Sequence, residues 1–147
     1  MKRERNSFLT PLDVRVQPSG KTFKLLNPFT YRWAYREDDL DFVFTFVVPR
    51  WFETDFASIP RFARVLIPKL GRHNKAAVIH DYIYQSDRLL ISRKKADQCF
   101  LAGMTDLGVA KWKRTLMYWA VRIGGFFAWT KPIDWSNPPE ELRELYG

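Results

Sequence analysis

The sequence predicts an α+β domain: a small N-terminal antiparallel sheet, then three to four helices, two of them an antiparallel pair carrying a His-Asp motif. Three observations point there. Before Pro60, apolar residues alternate with polar ones or crowd into β-branched and aromatic runs broken by Pro and Gly. After Pro60, they recur at helical spacing, with cap residues between the stretches. The order, strands first and helices after, belongs to α+β rather than to alternating βα units.

At 147 residues, 46% of them apolar, the chain suits one domain with its own core. It divides into a β-rich part over 8–52, a helical part over 60–128 and a C-terminal loop or tail over 129–147. Val14-Arg15-Val16 and Thr22–Leu25 alternate, and the breakers Pro18–Gly20 and Asn27–Phe29 separate them. Phe42–Val48 is a dense strand-forming run stopped by Pro49, and Glu37-Asp38-Asp39 is a polar hairpin tip. A single sheet of three or four strands is the economical expectation.

Phe62–Leu66 predicts a short helix, stopped by Pro68 and Gly71. Asn74 can cap a helix running to about Gln85, and Ser92 one running to about Asp106, where Leu107-Gly108 closes it. A capping box is missing at Ser92, because Lys95 stands at its third position. A last helix runs from Ala110 to about Phe127. Its stripe of Trp112, Leu116, Trp119, Ala120, Ile123 and Phe127 reads as a core face. The same stretch, Thr115–Trp129, holds one charge, Arg122, and is shorter than the roughly 20 residues of a membrane span. Basic residues flank it, so docking on anionic lipid is its functional alternative.

One cysteine, Cys99, excludes an internal disulfide framework. The N-terminal residues lack the apolar stretch of a signal peptide, and no transmembrane helix is expected. Net charge is +8, unevenly spread: residues 1–60 carry 9 basic and 8 acidic groups, residues 61–131 carry 14 and 4, and residues 132–147 carry 1 and 4. The basic middle calls for an anionic partner, with phospholipid or a membrane surface favoured over nucleic acid. Zinc is poorly served, since His73 and His80 lie about 10 Å apart along a helix axis and Cys99 has no ligand spacing.

The residues able to carry chemistry are His80, Asp81, Tyr84 and Asp97. His80 and Tyr84 share a helix face at i and i+4, behind the small Ala76 and Ala77. Asp97, on the next helix, sits at the edge of an apolar face. An antiparallel pair would bring it to His80, fixing the tautomer and raising the basicity of the free ring nitrogen. Such a cluster builds either a general base or a buried hydrogen-bonded core, and the residues leave both open. Thr54-Asp55-Phe56-Ala57-Ser58 joins sheet to helices. Its Thr54, Asp55 and Ser58 are short polar groups that cap helices and build turns, unless Asp55 or Ser58 reaches the histidine and completes a site. Asp55 is then an extra oxygen ligand beside Asp81, suited to a hard ion such as calcium. Ser58 lacks the G-x-S-x-G elbow of a nucleophile.

Over nearly its full length, the chain resembles a family of small phage- and prophage-encoded proteins of uncharacterised role. The matching stretches are FLTPLDV, KLLNPFTYRW, TDFASIPR, AAVIHDYIY, SRKKADQCF with LGV, and MYWAVRIGG. The resemblance implies a viral or prophage origin, a place in host cytoplasm or virion, and phage structural proteins as possible partners. Over about 30 residues, H-D-x-x-Y followed by Asp is also similar to the catalytic pair of phospholipase A2. That likeness implies that His80 deprotonates a water attacking an ester, Asp97 orients His80, Tyr84 supports the network and Asp81 binds calcium. Those enzymes carry a Gly-rich calcium loop that is missing before His80, so the TDFASIPR loop would have to serve. The other expectation is a non-enzymatic virion or tail component whose His-Asp cluster only locks two helices.

Overall fold

The computed structural model describes residues 7–56, 71–87 and 91–130. Strands β1 (Ser7–Phe8), β2 (Val14–Val16), β3 (Phe23–Leu25), β4 (Phe29–Glu37), β5 (Leu40–Val48) and β6 (Glu53–Thr54) come first. Helices α1 (Asn74–Tyr82), α2 (Arg93–Asp106) and α3 (Lys111–Thr130) follow, and a π-helical turn over Ile83–Asp87 extends α1. This is the predicted α+β order. The predicted helix over Phe62–Leu66, Ser58 and the tail from 131 lie outside the described residues.

The strands form two antiparallel sheets rather than the single one expected, ordered β1-β4-β5 and β2-β3-β6. The split falls at Asn27-Pro28, between β3 and β4. Proline has no N–H to give a ladder, so the chain leaves one sheet and starts another. The long β4–β5 hairpin runs in register from Phe29↔Val48 to Glu37↔Leu40. Its tip is Asp38-Asp39, at φ 51° and 62°. Positive φ at both central residues is what a two-residue turn matching the strand twist requires, and Asp tolerates it.

Alternate residues of the strands face inward. Phe23, Leu25, Phe29, Tyr31, Trp33, Phe46 and Val48 are buried, while Val43 and Val47 point to solvent. Rings stack along the hairpin from its buried base towards its exposed tip, with Trp33 and Tyr35 centroids 4.3 Å apart and Tyr35 and Phe42 5.2 Å apart. The sheet is pinned to α2 by Lys95, whose ammonium lies 2.7 Å from Glu37 and 4.5 Å over the Tyr35 ring.

Helix α1 is buried from Ala76 through Asp81, on every side rather than along one stripe. It packs close to α2: a Cβ built on Gly103 would stand 3.0 Å from the Ala76 Cβ. Asn74 is not the cap. It is the first helical residue, and its Oδ1 instead accepts from the Gly71 N–H at 2.7 Å, while His73 takes the cap position. Ser92 does cap α2, its Oγ accepting from the Lys95 N–H at 3.2 Å. Gly108, at φ 73°, closes that helix, with its N–H bonded to the Thr105 carbonyl.

Helix α3 is rotated from its expected seat. Met117 and Ala120 are buried, with Leu116 and Val121 packed against the core, whereas Trp112, Trp119 and Ile123 are exposed. Small inward residues let α3 lie close: a Cβ on Gly125 would fall 2.8 Å from the Tyr84 hydroxyl. No helix among the described residues is long and apolar enough to cross a membrane.

Candidate functional site

The site is built where α1, its π-turn, α2 and α3 converge on one carboxylate. Asp97 is fully buried, 0% exposed, and His80 is 4% exposed. The Asp97 Oδ1 lies 2.8 Å from His80 Nε2 and accepts the Tyr84 hydroxyl proton at 2.6 Å. Its Oδ2 accepts from Arg122 at 2.9 Å, with Arg93 3.6 Å away. Arg93 is itself fixed on α3, donating to the carbonyls of Arg122 at 2.9 Å and Val121 at 3.3 Å. The antiparallel α1–α2 pair thus brings His80, Tyr84 and Asp97 together, and α3 adds the guanidinium.

A buried carboxylate without partners would take up a proton. Burial does push the Asp97 carboxyl up, but hydrogen bonding and charge from His80, with the Tyr84 and Arg122 hydrogen bonds, outweigh it and hold the group below its ordinary range. Asp97 is therefore the anion of the cluster. Burial raises the Tyr84 phenol, and its bond to Asp97 raises it further, so Tyr84 stays a neutral donor.

An anionic acceptor at Nε2 decides the imidazole tautomer. In the neutral ring, the proton sits on Nε2 and the Nδ1 lone pair is bare. That Nδ1 is buried with no hydrogen-bond partner among the described residues. The ring is clamped between Tyr84, at 4.2 Å between centroids, and Phe100, at 4.8 Å. Its orientation, and hence the direction of the bare lone pair, is fixed. A buried acceptor left open costs stability unless a small donor such as water fills it.

Asp81 turns to a different object, as its position about 100° round the helix from His80 requires. Its Oδ2 accepts the Thr54 hydroxyl at 2.5 Å, and Thr54 Oγ1 in turn accepts the Phe56 N–H at 3.0 Å. This ties the loop after β6 to α1. Phe56 pays for the tight loop with φ at 59°, a costly conformation for an aromatic residue. Asp55, half-buried, lies between these two anchors. Among the described residues, no group of three or more His, Cys, Asp and Glu is disposed to hold a metal ion. Asp81 and Asp55 supply hard oxygens, but two carboxylates fall short of the six to eight oxygens, or thereabouts, that calcium takes. The buried free thiol of Cys99 is raised by its burial and takes no part in the cluster.

Sequence reasoning missed three contributors. Arg122 was visible as the lone charge of the apolar stretch Thr115–Trp129, a residue type that is normally paired when buried. Gly125, one turn further on, had no signal apart from its small size. The Thr54–Asp81 bond spans 27 residues and had none.

Of the cluster, His80, Tyr84, Arg93 and Asp97 fall within the residues that a protein-family match covers, and Arg122 falls just outside them. The chain belongs to the DUF1353 family, whose members are described as proteins of unknown function, and the family match covers residues 23–121. It is also 36% identical over 102 residues to the uncharacterised protein y4jT of Sinorhizobium fredii (strain NBRC 101917 / NGR234). That similarity covers 67% of this chain but only 27% of the relative. No solved structure matches the chain.

Proposed function

We propose that the protein is a phage-encoded, phospholipase A2-like hydrolase in which His80 is the general base. One observation carries the reading: His80 Nε2 is held 2.8 Å from the Asp97 carboxylate while Nδ1 has no hydrogen-bond partner among the described residues. In the proposed reaction, Nδ1 takes a proton from a water whose oxygen attacks the ester carbonyl carbon of a phospholipid. Asp97 stabilises the imidazolium that forms, and the same proton then passes to the departing alkoxide. Tyr84 and Arg122 position Asp97, and so act on the ring through it. Asp81 and Asp55, the oxygen donors expected for calcium, fall short of that ion's coordination, so no step of the proposed reaction is assigned to it. The resemblance of H-D-x-x-Y and the following Asp supports this assignment.

Burial of the ring favours a second reading, a virion or tail component whose cluster only locks helices. One experiment separates them: hydrolysis of a fluorogenic phospholipid with calcium or with chelator, for wild type and His80→Gln. Glutamine can still donate to Asp97, which preserves the fold. The proposal expects turnover that falls by about a hundredfold or more in the variant. Equal, negligible hydrolysis in every arm refutes it and leaves the structural reading.

A further inference from the structure

The outward face of α3 is apolar where a solvated helix face is ordinarily polar. Trp112, Trp119 and Ile123 are 55%, 57% and 75% exposed. Their spacing, i, i+7 and i+11, places them on one stripe with the partly buried Leu116 between. Met117, Ala120 and Val121 on the other side fill the core, so the helix is already satisfied in its seat. The charge along this helix has one sign. Between Asp106 and Asp134 there is no acidic residue, while Lys111, Lys113, Arg114, Arg122 and Lys131 fall in the interval. Arg122 is engaged by Asp97. Lys111 is exposed beside Trp112, and the Lys113 ammonium lies 5.4 Å from the Trp112 ring centroid.

We propose that this face docks on an anionic phospholipid bilayer, with α3 lying in the plane of the headgroups. Indole rings favour headgroup depth. Trp112 and Trp119 are separated by about 10.5 Å along the axis, so both reach that depth only when the helix lies parallel to the surface. Ile123 then enters the acyl boundary, and Lys111 and Lys113 meet the anionic headgroups. A second copy fits less well, because two-fold pairing about this stripe would set like charges against each other. Nucleic acid would use the cations and the rings, yet it offers Ile123, the most exposed of the three, nothing apolar to enter. The docking surface shares the lipid of the proposed reaction but needs none of its chemistry.

The test is co-sedimentation of the full chain with vesicles of phosphatidylcholine alone and of phosphatidylcholine mixed with phosphatidylglycerol. Wild type is expected to pellet with the mixed vesicles and about tenfold less with the neutral ones. Trp112→Ala/Trp119→Ala should lose about tenfold or more of that binding, as should Lys111→Glu/Lys113→Glu, with circular dichroism confirming the fold of both. His80→Gln should bind as wild type does, so a failed hydrolysis assay and a failed docking assay are distinguishable. Absence of vesicle binding, or binding indifferent to both double substitutions, overturns the inference. So does a dimer dissolved by the tryptophan substitutions without vesicle binding, which would assign the face to a second copy. Binding of RNA or DNA, lost in the same variants while vesicles are ignored, would assign it to nucleic acid and overturn the inference equally.

Discussion

Replacing Asp97 by Asn removes one charge, adds no volume and strikes every partner of the cluster. The carboxylate accepts from Tyr84 at 2.6 Å, His80 at 2.8 Å and Arg122 at 2.9 Å. An amide has one acceptor oxygen. If that oxygen faces His80 and Tyr84, the NH2 group confronts the Arg122 guanidinium, donor against donor. If the amide is flipped, Arg122 keeps its acceptor, but His80 must offer a bare Nε2 and move its proton to Nδ1. A hydrogen bond to a charged group contributes about 1.5–3 kcal/mol. Stranding a guanidinium adds less than the about 3–5 kcal/mol seen for fully buried pairs, because the side chains of Arg122 and Arg93 remain 24% and 18% exposed. The expected destabilisation of Asp97→Asn is therefore about 2–4 kcal/mol. Urea unfolding measures it, as a lower midpoint at unchanged slope. A loss below about 0.5 kcal/mol, the range of an ordinary surface change, would refute the reasoning, since the carboxylate would then not be what holds three helical segments together.

Two further outcomes follow from the same cluster. The Asp97 carboxyl is held below its ordinary 3.8 in the fold, so its contribution is complete above that range and is lost as pH falls through it. The Tyr84 phenol is raised above its ordinary 10.0, so its contribution is complete below that value and declines as pH rises past it. Unfolding free energy measured against pH should fall at both ends, and Asp97→Asn should flatten the acid limb. Gly125→Ala would set a Cβ 2.8 Å from the Tyr84 hydroxyl; the expected cost is about 1–3 kcal/mol, read by thermal unfolding. Gly124→Ala, with open space around it, should cost nothing.

Much of this architecture was legible because local chemistry and tertiary structure agree. The Phe42–Val48 run is a strand, Asp38-Asp39 is its turn, and Ser92 caps α2. The meeting of His80 with Asp97 followed from helical spacing and a short connection. What could not be read depends on contacts far apart in sequence. Strands β2, β3 and β6 are two or three residues long, too short for a periodic signal to reveal which sheet each joins. Both faces of α3 carry apolar residues, so periodicity could not say which turns inward. Packing against Tyr84 chose the face with Gly125, Ala120 and Arg122, and left the larger tryptophans outside. Arg122 entered the cluster by that choice.

The tautomer of His80 tests the account most directly, because everything proposed for this site starts from a bare Nδ1. With two histidines in the chain, long-range proton–nitrogen NMR correlations can assign each ring at neutral pH, aided by a His73→Gln variant. The geometry demands that the neutral His80 ring carry its proton on Nε2, and that this preference vanish in Asp97→Asn. A proton found on Nδ1 in the wild-type protein would contradict it, and no base would remain at this position.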